Sequence, residues 1–193
     1  LHGLVTDVVD VSPGEPLPRD CDLYVLGGGE DTAQVAAADS LRADGGMTQA
    51  VDRGAAVLAI CAGYQLIGRE FPDATGAPSA GVGILDIRTD RLPKRAVGEL
   101  LTRPDPQAPA GLTDLLTGYE NHAGATHLGP DARPLAQVEF GVGNGDVSEG
   151  AINGHVMGTY LHGPCLARNP QIAYVLLGWV VGELLPHIAE REV

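Results

Sequence analysis

The sequence predicts an α/β fold with a mostly parallel central sheet and additional antiparallel strands. Three observations predict it. Short apolar runs alternate with longer stretches of helical spacing, as when crossover helices join parallel strands. The apolar run at residues 55–60 stops at Cys61 and gives way at once to a helical pattern. Glycine turns follow runs that read as strands. With 193 residues and 44% hydrophobic content the chain can bury one sizeable core, so a single domain over residues 1–193 is expected.

Taken in order, "GLVTDVVDV" is a first strand candidate, followed by the proline-rich turn "SPGEPLPRD". "DLYVLGGGED" runs from a strand into a turn at Gly27, Gly28 and Gly29. Asp31 and Gln34 have capping-box spacing, which predicts a helix opening at Thr32 and running toward Leu41. A second helix is expected from about Met47 to Arg53, with Gly54 as its left-handed cap. Residues 81–150 change character: short alternating pieces separated by proline and glycine predict antiparallel strands. Asn153 and Gly154 predict a type I′ hairpin, because both central positions of that turn need positive φ. His162 then falls just past a strand end. Asn169 and Pro170 start a closing amphipathic helix that carries Ile172, Val175, Leu176, Trp179, Val180 and Leu184 on one face, with the tryptophan in the core.

Charge and cysteine content narrow the partners. A formal charge of -13 repels nucleic acid phosphates and anionic headgroups. No apolar run reaches a membrane span, and "LHGLVTDVVDV" lacks the order of a signal peptide, so a cytoplasmic protein is expected. The first residue is leucine, and the expectation is a domain that lacks its first strand and helix. Three cysteines, Cys21, Cys61 and Cys165, without a CxxC pair suggest neither a disulfide framework nor a zinc site.

The candidate chemistry centres on Cys61. A buried strand that ends in a nucleophile and turns straight into a helix makes a strained elbow, and free helix amides favour thiolate. Gly63 removes bulk where strand and helix converge, with Ala59 at the other close-packing position. The same local pattern fits a small packed hydrophobe, the usual fate of a free cysteine, and does not separate the two. A nucleophilic thiol needs a base, and six histidines compete. His162, at a strand end beside Gly163 and Pro164, ranks first, and His122 in "YENHAG" ranks second. His2, His127, His155 and His187 read as surface or structural residues. The "GGGED" turn can supply oxyanion amides; it is neither a P-loop nor a dinucleotide fingerprint, and alone it is an ordinary turn.

The segments "YVLGGGEDTAQ", "LAICAGYQLIGREF", "GVGILDIRT", "TGYENHAG", "GNGDVSEGAINGHVMGTYLHGP" and "ARNP" follow one another along essentially the whole chain. Together they resemble the class I glutamine amidotransferases, in the CobB/CobQ-like branch, and within it the GatD-type glutaminase subunits of lipid II isoglutaminyl synthase. The resemblance implies a flavodoxin-like three-layer sandwich. It implies Cys61 as the nucleophile that forms a glutamyl thioester from L-glutamine, and His162 as the general base and acid. It implies oxyanion amides at Gly28 and Ala62, a turn shaped by Gly29, and Gln65 lining the glutamine pocket. Ammonia would pass to a Mur-ligase-like (MurT) subunit in a heterodimer, where ATP and magnesium belong; no cofactor is implied in this chain. That partner would amidate the D-glutamate α-carboxylate of lipid II to D-isoglutamine during peptidoglycan synthesis.

Two departures from the family pattern stand out. Triad amidotransferases carry glutamate two residues after the histidine, and Pro164 stands there instead, so a different acid acts or the ligase subunit supplies one. Arginine is expected where Ala125 stands, to pair with the substrate α-carboxylate; alanine cannot, which weakens glutamine binding or leaves the task to another basic residue. Competing readings are an ammonia donor for cobyrinate amidation, a cysteine hydrolase on a related elbow fold, and a non-catalytic module in which Cys61 is packed. The hydrolases place histidine directly after the cysteine, where this chain has Ala62.

Overall fold

A computed structural model describes residues 4–12, 14–29 and 31–183 of the chain. Its first sheet has the order β1-β2-β10-β9: β1 (Leu23–Leu26), β2 (Ala56–Ile60), β10 (Val156–Thr159) and β9 (Ala151–Asn153). β1, β2 and β10 run parallel, and β9 closes the edge antiparallel to β10. β2 is apolar along its length because strands flank it on both sides and its side chains are buried on both faces. The expected α/β class with a mostly parallel sheet is therefore what this part of the chain forms.

A second sheet comes from the middle of the chain, in the order β4-β3-β5-β7-β8: β3 (Glu70–Pro72), β4 (Pro78–Ala80), β5 (Ile87–Pro104), β7 (Ala136–Phe140) and β8 (Ser148–Glu149), with β6 (Leu116–Leu128) also on β5. The long β5–β6 pair is antiparallel, with a register shift between Arg91 and Ala96. Pro93 lies inside that shift, and a residue without a ladder amide suits a bulge. One buried cluster includes Val57 and Leu58 of the first sheet and Leu100 and Leu116 of the second.

The helices are α1 (Asp31–Asp44), α2 (Gly46–Asp52), α3 (Ala62–Leu66), α4 (Cys165–Arg168) and α5 (Pro170–Val181). α1 begins one residue earlier than the capping spacing predicts. Gln34 does not cap it, because its side chain is buried and bonded to α3. Gly54 has φ 93 just past α2, as a left-handed cap requires. α5 starts at Pro170 after Asn169, but the Asn169 side chain bonds Thr117 and the Cys165 carbonyl rather than the helix amides. Ile172, Val175 and Leu176 are buried, and Trp179 packs on the His155 ring with centroids 5.1 Å apart. Leu184, His2 and His187 lie outside the described residues.

Two local expectations are corrected. Residues 4–11 form no strand: Val5 is 99% exposed, and no neighbouring backbone takes their amides into a ladder. β-prone alternation makes a strand only where a partner strand and an apolar surface meet it. The β9–β10 hairpin exists, but Asn153 pairs with Val156, so its two-residue loop is Gly154–His155. Positive φ occurs at Gly154 and not at Asn153, which suits a type II′ turn rather than type I′.

Candidate active site

Parallel strands bring their carboxyl ends to one edge of a sheet, and three loops leave that edge here: Gly27–Gly29 after β1, Cys61 after β2, and the segment to His162 after β10. Cys61 has φ 54 and ψ -106, and it is the one non-glycine with positive φ among the described residues. Such a conformation is costly for an L-residue and persists where surrounding structure imposes it. The imposition is visible at Gly63, whose amide donates to the Gly27 carbonyl at 3.2 Å. A Cβ there would stand 2.7 Å from the Leu26 carbonyl oxygen, so only glycine lets α3 pack this closely on the end of β1. α3 is 5 residues long, and its contribution at Cys61 is a few local amides rather than a long macrodipole.

Cys61 and His162 share the site through Gly28. A Cβ on Gly28 would lie 3.2 Å from His162 Cε1 and 3.7 Å from Cys61 Cβ. His162 is held by its backbone, donating its N–H to the Tyr119 carbonyl at 3.0 Å and accepting from the Tyr119 amide at 3.3 Å. Its Nε2 is buried without a hydrogen-bond partner among the described residues. Burial, and then the nearby charge of His122, hold its pKa below the usual 6.5, which favours the neutral ring a base requires. The Cys61 sulfur lies 4.0 Å from the Asn121 carbonyl oxygen.

The pocket beside the thiol is lined by Gly29, Gln34, Ala62, Gln65, Pro72, Arg91, Arg95 and Asn121 to Gly124. Gln65 is buried; it donates to Tyr160 Oη at 3.1 Å and accepts from Gln34 Nε2 at 3.0 Å. Gln34 Nε2 also reaches the Ala62 carbonyl at 3.2 Å, so α1 is tied to the elbow helix. Tyr160 Oη meets Thr126 Oγ1 at 2.7 Å, and its ring stacks on His122 with centroids 3.6 Å apart. His122 is buried with Nδ1 3.0 Å from the Gly124 carbonyl and Nε2 3.5 Å from Glu120 Oε2. Glu120 accepts from the Val142 and Gly143 amides at 2.8 and 2.9 Å. Burial pushes its carboxyl up, but His122 and these amides outweigh burial and hold it below the usual range.

Cys61, His162, Gly28, Gly29, Ala62 and Gln65 therefore meet where the sequence reading groups them. Ala125 is not among the residues that line the pocket: it pairs with Asp90 across β5–β6, one step beyond the lining pair Gly124 and Arg91, and a Cβ on Gly145 would lie 3.4 Å from its own. The pocket's positive charge comes from Arg91 and Arg95, carried by the β5 register shift. Arg95 donates from Nε to Asn121 Oδ1 at 2.7 Å, and Arg91 from Nη2 to the Ala74 carbonyl at 3.2 Å. Sequence reasoning missed both, and missed Gln34. The signal for the arginines was the run "RLPKR", a proline within charges interrupting a strand pattern. Among the described residues the histidine–carboxylate pairs are His122–Glu120 and His127–Asp90, and neither involves His162. No group of three or more His, Cys, Asp or Glu among them is arranged to hold a metal ion. No helix among them is long and apolar enough to cross a membrane.

Comparisons with known proteins bear on the family and the fold. A subunit named GatD of lipid II isoglutaminyl synthase (glutamine-hydrolyzing) from Staphylococcus aureus is 34% identical over 180 residues, covering 91% of this chain and 71% of that protein. Its namesake from Streptococcus pneumoniae is 35% identical over 160 residues, 81% of this chain and 60% of that one. A cobyric acid synthase from Brucella canis is 40% identical over 169 residues, but the match spans only 32% of its length. Among solved structures, a glutamine amidotransferase superposes with a TM-score of 0.62 at 18% identity, over 83% of this chain and 79% of that one. PurLQS from Thermotoga maritima gives 0.58 at 16%, over 88% and 84%. At those identities the structures speak for the fold alone, the class I glutamine amidotransferase architecture. With a family model matching residues 4–170, the chain belongs to the CobB/CobQ-like glutamine amidotransferase domain family.

Proposed function

We propose that this chain hydrolyses L-glutamine through Cys61 and supplies ammonia to a ligase partner that amidates lipid II. The observation that carries the reading is the meeting of Cys61, at its strained elbow, with His162 across Gly28 beside a two-arginine pocket. The names of the S. aureus and S. pneumoniae relatives supply the acceptor.

The chemistry follows from the groups present. Neutral His162 takes the Cys61 proton, and the thiolate attacks the substrate's side-chain carbonyl carbon. The oxyanion is met by the Gly28 and Ala62 amides. The C–N bond breaks, His162 returns the proton to the leaving nitrogen, and ammonia departs from a glutamyl thioester. Water, deprotonated by His162, then attacks the thioester; glutamate leaves and the thiol is restored. Arg95, with Arg91 beside it, pairs with the substrate α-carboxylate, and Gln65 and Gln34 line the pocket wall. The acid that would steady a His162 imidazolium comes from the partner, a Mur-ligase-like (MurT-type) subunit that also holds ATP and magnesium.

The test is labelling of Cys61 by 6-diazo-5-oxonorleucine, together with ammonia release by the chain alone and with its co-purifying partner. Labelling that Cys61→Ala abolishes, and turnover that rises with the partner, are expected. No labelling with the partner present would leave a non-catalytic module of the same fold. A second reading, ammonia donation for cobyrinate amidation, draws on the 40% identity to the Brucella protein. A co-purifying corrin-amidating synthetase instead of a Mur-type ligase would establish it.

A further inference from the structure

Glu149 is fully buried, yet it does not line the pocket. A buried carboxyl is costly unless its oxygens are met, so its partners reveal its task. Oε1 accepts from Thr159 Oγ1 at 2.8 Å and from the Tyr160 amide at 2.7 Å. Thr159 Oγ1 in turn accepts from the Leu161 amide at 3.0 Å. The Thr159 carbonyl accepts the Cys61 amide at 2.9 Å. One carboxyl thus fixes Thr159, the last residue of β10, and the two residues that join it to His162, and through Thr159 it also reaches the backbone of Cys61.

The surroundings make this an expensive arrangement. Oε2 has no hydrogen-bond partner among the described residues. Burial pushes the carboxyl up to about 7 despite the two donors, and the charge of Glu120 adds to the rise. Tyr64 on α3 and Cys165 on α4 are also raised, first by burial, with Glu149 contributing to both. An apolar side chain would fill this space at lower cost, as replacements of buried ionic groups show.

We propose that Glu149 is a positioning residue that sets Cys61 and His162 in register with each other through residues 159–161. The inference rests on the hydrolase reading of those two residues. Glutamine hydrolysis by the full chain with its co-purifying partner tests it. Glu149→Leu keeps the volume and removes the acceptor; kcat should fall by about tenfold or more, with KM within about twofold, because the pocket wall is untouched. Glu149→Gln retains an acceptor oxygen and should restore most of the lost kcat, which a merely bulk-filling role would not require. Thr159→Val removes the hydroxyl that joins Glu149 to the Leu161 amide, leaves the Tyr160 bond in place and should lower kcat in the same way, which keeps the inference testable if Glu149→Leu does not fold. Wild-type kcat in folded Glu149→Leu or in Thr159→Val overturns it, as does a rise in KM that accounts for the whole loss. A wild-type chain that neither turns over nor labels at Cys61 removes the hydrolase reading, and this inference with it.

Discussion

Arg95 donates from Nε to Asn121 Oδ1 at 2.7 Å and from Nη2 to the Asn121 carbonyl at 3.3 Å, the same carbonyl that faces the Cys61 sulfur. The guanidinium is thereby held at the pocket by the strand that borders the thiol. Arg95→Ala should raise KM for glutamine by about 10- to 100-fold, the loss of a charged hydrogen bond, with a smaller effect on kcat. Steady-state kinetics read this. A fall in kcat alone would show that Arg95 does not hold substrate.

Ala125→Arg should leave KM for glutamine where it is. The side chain there lies against Gly145, and its cross-strand neighbour is Asp90, so a new guanidinium would meet that carboxylate before the residues around the thiol. A lowered KM in this variant would show that position 125 reaches the substrate after all.

Gly63→Ala tests the elbow. The added methyl would meet the Leu26 and Gly27 carbonyl oxygens at 2.7 and 2.9 Å, and backbone cannot yield as a side chain does. Destabilisation of about 1–3 kcal/mol is expected in thermal melts, typical of overpacking. Labelling of Cys61 should slow more than stability alone explains, since the clash pushes directly on the nucleophile's turn.

The pH dependence of turnover should report His162. Burial, then the charge of His122, lower its pKa from 6.5, so the ring stays neutral through the neutral range. The profile of kcat/KM should fall on the acid side only below pH 6.5. His122→Asn should move that limb upward, because it removes the second cause. An unmoved limb would mean that another group controls it.

Glu149 makes a separate prediction for stability. Its folded-state carboxyl ionises at about 7 against 4.5 for the free group, so between those values the folded chain holds a proton that the unfolded chain has lost. Stability is therefore lost as pH rises through this window, by up to roughly 3 kcal/mol. Glu149→Gln cannot ionise, and its melting temperature should gain on the wild type between about pH 5 and about pH 8. A constant difference would show that Glu149 is charged in both states.

The parts of the site that sequence made legible were those whose chemistry is tied to a strand end. Cys61 could be read because a fully apolar strand and a helical pattern meet there, and Gly63 because close packing leaves no other choice. Arg91 and Arg95 could not be read, since their place depends on a register shift deep in a long hairpin. Gln34 was hidden by its own spacing, which fits a cap as well as it fits an inward amide. The opening "GLVTDVVDV" misled because strand propensity carries no information about whether a partner strand is present. Position 125 lies one step beyond the lining residues of β6, and sequence alone does not say how far along a strand a pocket extends.

β10 occupies an interior position in its sheet, between β2 and β9, although it is the last strand among the described residues. On the ribosome β2 therefore emerges long before the neighbour that covers one of its edges, and Cys61 is made well before the His162 proposed as its base. Contacts of this separation form late and slowly. On the proposed chemistry a chain stopped before β10 is inert toward glutamine, and the open edge of β2 is where strand exchange between unfinished copies would begin.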